Sequence, residues 1–128
     1  MSYLADSHTL LWILNDSGRL PPNVKSIFLD PENQISASIA SLWELGIKFA
    51  LGQLPLKTDI LCVEQELVDL GVSILPITTK EIHEATLLPM HHRDPFDRII
   101  AATALTTGDT LLSADTVFDQ YGLIRVWD

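Results

Sequence analysis

The stretch that most limits how this chain can fold is Asp94-Pro95-Phe96-Asp97-Arg98, followed by Ile99-Ile100-Ala101-Ala102-Thr103-Ala104-Leu105. It reads as the start of a buried helix. An aspartate before a proline is a natural N-cap, because its carboxylate can accept a hydrogen bond from a backbone N–H that the helix leaves unpaired. Proline suits the first helical position, where no N–H is needed. Asp97 then falls in the first turn, where the helix dipole favours an anion. The isoleucines and alanines behind it form a narrow apolar body able to lie close on a sheet. A buried helix therefore carries a carboxylate at its N-terminal end, and the remaining question is what that carboxylate meets.

At 128 residues the chain is expected to form a single domain, residues 1–128, with enough length for a real core. A hydrophobic share of 47 % argues against disorder. The apolar run near the N-terminus is broken by Asp6 and His8 and has no basic leader, so neither a signal peptide nor a membrane span is expected. The lone cysteine, Cys62, cannot form an internal disulfide and sits in an apolar helical pattern, which predicts a small core residue. A cytoplasmic protein is the default that follows. The net charge of −9 is wrong for a protein that grips nucleic acid with a basic surface. It suits a bound cation, a basic partner or simple solubility.

Strand and helix patterns alternate along the chain. Strands are predicted at 2–5, 34–38, 72–77, 110–113 and 123–127. Helices are predicted at 8–14, 24–29, from a cap at Ser38 or Ser41 to about Leu51, at 58–70, 79–88 with Thr78 or Thr79 as cap, and from Asp94 to a stop at Gly108, with a helical turn at 117–121. The pattern predicts an α/β sandwich with a mostly parallel sheet.

In such a sheet, ligands bind beyond the carboxyl ends of the strands. Asp6 stands at the end of the first strand, and Asp115 just past the end of a later one. Asp97 opens a helix at the same rim. Glu44 is an acid inside a helix that is apolar on most sides, and needs a partner such as Lys48 one turn on, or a metal ion. Carboxylates at close quarters raise one another's pKa, and a divalent cation relieves the repulsion. Oxygen ligands suit Mg²⁺ or Mn²⁺, which can polarise a phosphoryl oxygen and activate water. Each acid also has a plainer use. Asp6 and Asp94 could be helix caps, Glu44–Lys48 a surface pair, and either Asp115 or Asp119 a loop acid. His91 and His92 are adjacent and so face apart, which predicts a loop role rather than a metal pair. Arg93 and Arg98 could bind phosphate or balance Asp94 and Asp97. Ser7, Thr9 and Ser113 could hydrogen-bond a carboxylate.

Four segments, 4–12, 41–48, 91–105 and 111–115, together resemble the PIN-domain ribonucleases, specifically the VapC-type toxins of type II toxin–antitoxin pairs. Arg93-Asp94-Pro95-Phe96-Asp97-Arg98 carries most of that resemblance. It implies a PIN-like three-layer sandwich with a five-stranded sheet in order 3-2-1-4-5 flanked by helices. It also implies Mg²⁺- or Mn²⁺-dependent endoribonuclease activity, in which metal-activated water hydrolyses RNA phosphodiester bonds. The implied catalytic and metal-holding quartet is Asp6, Glu44, Asp97 and Asp115, with Ser113, Asp94 and Arg98 in support. An antitoxin that covers the site is implied as partner, and homodimers are common in the family. Two other functions fit the residues: a PIN-fold binding module without catalysis, and another Mg²⁺-dependent phosphohydrolase acting on small molecules.

Overall fold

The computed structural model describes residues 1–55 and 57–128. Five strands, β1 (Ser2–Ala5), β2 (Gln34–Ser38), β3 (Val72–Leu75), β4 (Thr110–Leu112) and β5 (Arg125–Val126), form one sheet in the order β3-β2-β1-β4-β5. Every pairing is parallel. The helices are α1 (Ser7–Leu14), α2 (Pro22–Leu29), α3 (Ile39–Ala50), α4 (Ile60–Asp69), α5 (Thr79–Leu87) and α6 (Pro95–Thr107), with a 3-10 helix at Thr116–Tyr121.

β1 lies at the centre because both its faces are apolar, as a strand covered on two sides requires. Tyr3 and Ala5 point into a core shared with Leu10, Leu45, Val63 and Leu67 from α1, α3 and α4. Leu4 points the other way, onto Ile100, Ala101 and Ala104 of α6. β4 repeats the alternation, with Leu111 on the α6 side and Leu112 on the other. The alanines of α6 are fully or almost fully buried, so this helix sits close to the sheet. It is closed by Gly108 in the left-handed conformation, φ 76°, which glycine adopts without Cβ strain.

The strand order reverses direction at β1, between β2 and β4. Ala5 pairs with Leu112, and the Asp6 N–H donates to the Leu112 carbonyl at 3.2 Å. The residues that follow the two strands, Asp6 and Ser113, therefore leave the sheet side by side at its switch point.

Several boundaries differ from expectation for local reasons. β3 stops at Leu75, since Pro76 has no N–H to continue the ladder. α3 is capped by Ser38, whose hydroxyl accepts from Ala40 N–H at 3.1 Å, and Ser41 is buried one turn inside. α4 starts after Asp59, which accepts from Cys62 N–H at 3.0 Å. Cys62 is exposed and is not a core residue: α4 buries only the Val63–Leu67 stripe, and Cys62 lies on another face. Among the described residues no helix is long and apolar enough to cross a membrane.

Candidate active site

Asp6 is the most thoroughly held acid. It caps α1, with Oδ1 accepting from Thr9 N–H at 2.9 Å and lying 2.6 Å from the Thr9 hydroxyl. Its Oδ2 accepts from the Ser113 hydroxyl at 2.5 Å. The Thr9 hydroxyl also lies 2.8 Å from the Leu112 carbonyl, so a single proton serves two acceptors. Burial pushes the Asp6 carboxyl above the ordinary range, and the bonds from Ser113 and Thr9 oppose that. Capping and membership of the acidic group are thus compatible uses of the same side chain.

Glu44 comes from the second turn of α3 and is buried. Its Oε1 accepts from the Ser7 hydroxyl at 2.5 Å, and its Oε2 is 2.8 Å from Lys48 Nζ. The Lys48 ammonium is pushed up, first by its hydrogen bond to Glu44 and further by the charges of Asp94 and Asp97.

Asp97 is the third residue of α6, behind Asp94, whose carboxylate caps Phe96 N–H at 2.8 Å. Among the described residues no group donates a hydrogen bond to the Asp97 carboxylate. Its pKa is raised to about 7, first by burial and then by Asp94, Glu44, Asp6 and Asp115. Asp115 caps the 3-10 helix, with Oδ1 accepting from Val117 N–H at 2.9 Å, and its own N–H donates to Ser113 Oγ at 3.0 Å. A continuous chain of hydrogen bonds thus runs from Asp115 through Ser113 to Asp6. Asp119 stands elsewhere: Arg125 grips it through Nε at 2.9 Å and Nη2 at 3.1 Å, which holds its carboxyl low.

Between Asp97 and Asp115 lies His92. Its Nδ1 is 3.6 Å from Asp97 Oδ2, and its Nε2 is 3.2 Å from Asp115 Oδ2. The PIN domain family model matches residues 3–123. This chain belongs to the PIN domain family. Solved structures agree on the fold. The VapBC2 complex of Rickettsia felis, bound to a fragment of its promoter DNA, contains a chain that superposes with a TM-score of 0.74 at 18 % identity, over 100 % of both chains. A DNA-bound VapBC from Salmonella typhimurium gives 0.73 at 16 % identity, covering 98 % of this chain and 97 % of that one. FitAcB of Neisseria gonorrhoeae gives 0.67 at 20 % identity, covering 96 % and 95 %. No curated relative matches the sequence.

In this PIN domain the rim of the sheet gathers Asp6, Glu44, Asp97 and Asp115 from four distant segments, with Ser113 and Asp94 beside them. Two sequence expectations need correction. Arg98 is not free to bind phosphate or balance the acids, because its guanidinium is committed to four carbonyls, those of Ala85, Leu88, Pro89 and His92, at 2.6–3.1 Å. It staples the end of α5 and the following loop to α6. His92, assigned a loop role, does sit in a loop, yet its ring reaches the acids. The sequence signal for it is slight: a histidine five residues before Asp97, in a loop that Arg98 draws back onto the helix. Arg93 is exposed and forms no ion pair among the described residues.

Proposed function

We propose that this PIN domain is a Mg²⁺- or Mn²⁺-dependent endoribonuclease, the toxin of a toxin–antitoxin pair that acts in the cytoplasm. One observation carries the reading: Asp97, Asp6, Glu44 and Asp115 crowd one end of the sheet, and among the described residues the one lysine paired with them, Lys48, is bound to Glu44. PIN domains are generally nucleases, and structurally similar chains occur in VapBC and FitAB complexes, which supports the activity and an antitoxin partner.

The donor set fits a divalent cation. Asp97 accepts no hydrogen bond, Asp115 Oδ2 has none, and the His92 Nε2 atom is buried without a hydrogen-bond partner, among the described residues. Asp97 and Asp115 would hold the ion, with Asp6 alongside. When bound, it would supply Lewis-acid polarisation of a phosphoryl oxygen and lower the pKa of water.

The chain's own residues prepare that site. Thr9 and Ser113 orient the Asp6 carboxylate, and Ser7 and Lys48 orient that of Glu44. Donors fixed in this way need no reorganisation when the substrate arrives. Lys48, drawn in by Glu44, offers a cation close to Asp97 and Asp94. Arg93 is exposed beside the same helix start and would contact the RNA backbone. The helix face next to Glu44 is apolar: Trp43 is 63 % exposed, and with Ile47, Ala50 and Leu61 it lines a groove of about 510 Å³ between α3 and α4. An acidic chain with such a groove suits a basic, amphipathic antitoxin segment, and a second copy of the chain is the other occupant to test.

The test is cleavage of single-stranded RNA by the purified protein with Mg²⁺ or Mn²⁺. Asp97→Asn should reduce it by about 100-fold or more, the scale on which one key electrostatic group acts. Undiminished cleavage by that variant would remove the assignment.

A further inference from the structure

His92 occupies a position that the acidic quartet alone does not explain. One ligand atom each from His92, Asp97 and Asp115 can be chosen so that all lie within 4.8 Å of one another. Donors about 2.1 Å from an ion and at right angles to one another are about 3 Å apart. The 3.2 Å between His92 Nε2 and Asp115 Oδ2 is close to that edge. At this distance a hydrogen bond would be expected, yet among the described residues Nε2 has no hydrogen-bond partner, so it is the angle that fails. The nitrogen is held beside the carboxylate without being aimed at it. A buried polar atom left unpaired is costly to the fold, and something must offset that.

The ring is also held too firmly for a passing loop residue. The His92 N–H donates to the Tyr121 hydroxyl at 2.7 Å, and the imidazole packs on Phe118 at 4.7 Å and stacks on Tyr121 at an interplanar angle of 22°. Arg98 binds the His92 carbonyl at 3.1 Å. The neighbouring carboxylates complete the contrast. Among the described residues, Asp6 has protein donors on both oxygens, as does Glu44, whereas Asp97 and Asp115 Oδ2 have none.

We infer that His92 is a metal ligand, donating a ring nitrogen to the ion held by Asp97 and Asp115, and that this mixed nitrogen–oxygen set makes the centre select Mn²⁺ over Mg²⁺. The inference rests on the metal-dependent reading above and names the cation. An all-carboxylate site suits hard ions such as Mg²⁺, whereas imidazole shifts preference toward first-row transition ions. Losing even an outer-shell partner costs about 10- to 100-fold in metal affinity, and losing a ligand costs no less.

The experiment is calorimetric titration of the metal-free protein with Mn²⁺ and with Mg²⁺, joined to pulsed electron paramagnetic resonance of the Mn²⁺-loaded protein. Imidazole ligation is read as nitrogen hyperfine coupling to Mn²⁺. The wild type should show that coupling and bind Mn²⁺ about tenfold or more tighter than Mg²⁺. His92→Phe, which keeps a ring against Phe118, should lose both the coupling and the preference yet still bind Mg²⁺. His91→Phe should keep both. Bound Mn²⁺ without nitrogen coupling in the wild type overturns the inference even if His92→Phe does not fold, and leaves the nuclease reading standing. Failure of both ions to bind the wild type overturns both readings.

Discussion

The two halves of the acidic rim are built differently. Asp6 and Glu44 are buried and fully served by the protein: Thr9, Ser113, Ser7 and Lys48 all point donors at them. Asp97 and Asp115 are 25 % and 40 % exposed in their side chains, and the group between them, His92, has a nitrogen without a hydrogen-bond partner among the described residues. Folding has thus completed one half and left the other unfinished. A carboxylate whose lone pairs are met by fixed donors is part of the structure, and its loss harms the fold. Asp97, held among other anions without a hydrogen-bond donor among the described residues, is a burden on the fold that a ligand relieves, and removing its charge should help the metal-free protein. The comparison therefore predicts opposite signs for chemically similar mutations.

The largest effect belongs to Lys48→Met. It leaves Glu44, almost wholly buried, without its cation, and breaking one side of a buried pair costs about 3–5 kcal/mol. Because Lys48 is itself about one-third exposed, the low end, near 3 kcal/mol, is expected. Urea unfolding in a chelator measures it. A cost near zero would mean that Glu44 is not served by the protein, and the contrast would collapse. Ser113→Ala comes next. It strips one donor from Asp6 and also the acceptor of Asp115 N–H, at about 1–3 kcal/mol.

What was legible in the sequence is what short-range devices fix. Asp94, Pro95 and Gly108 mark both ends of α6, and Asp6 sits where a short apolar strand stops, so capping chemistry and strand periodicity suffice to find them. The parallel order 3-2-1-4-5 came from the resemblance and is the order observed. Contacts across the fold were not legible: the Ser113 bond to Asp6 and the Ser7 bond to Glu44 join distant segments. His92 is brought in by the Arg98 staple and by Phe118 and Tyr121, about 30 residues away, and no local pattern announces that. The same holds for surface and core on α3 and α4. Trp43, Leu61 and Cys62 fit the apolar period but lie outside the core, because periodicity identifies a stripe without telling how wide the covering layer will be.

Asp97→Asn sharpens the comparison on the other side. An unfolded aspartate titrates near 3.8, and Asp97 in the fold near 7. Between those values the folded state holds a proton that the unfolded state has lost. Stability of the metal-free protein should therefore fall as pH rises from about 4 to about 7 and stay low above that. Asp97→Asn removes the burden, so the variant should be more stable than wild type at pH 8 by about 1 kcal/mol, after discounting for the water that reaches the side chain. Its dependence on pH should be flatter. Melting curves in a chelator at pH 5 and pH 8 supply the measurement. Saturating Mn²⁺ should reverse the order at pH 8, adding about 2.7 kcal/mol to wild type at a hundred times its dissociation constant and much less to the variant.

The smallest effect separates two acids only four residues apart. Asp115 and Asp119 both follow β4, and both belong to the 3-10 segment, one as its cap and one within its first turn. Only Asp115 shares His92 with Asp97. Asp119 is paired through two bonds with Arg125, whose Nη1 also donates to the Ser113 carbonyl at 3.0 Å. Asp119→Asn keeps a carbonyl oxygen for Arg125, so the Ser113 contact should persist and metal affinity and RNA cleavage should stay at wild-type levels. Asp115→Asn should weaken Mn²⁺ binding by about tenfold or more. If the two variants lost affinity equally, the site would extend along the 3-10 helix rather than across to α6, and the division between a completed and an unfinished half would have been drawn in the wrong place.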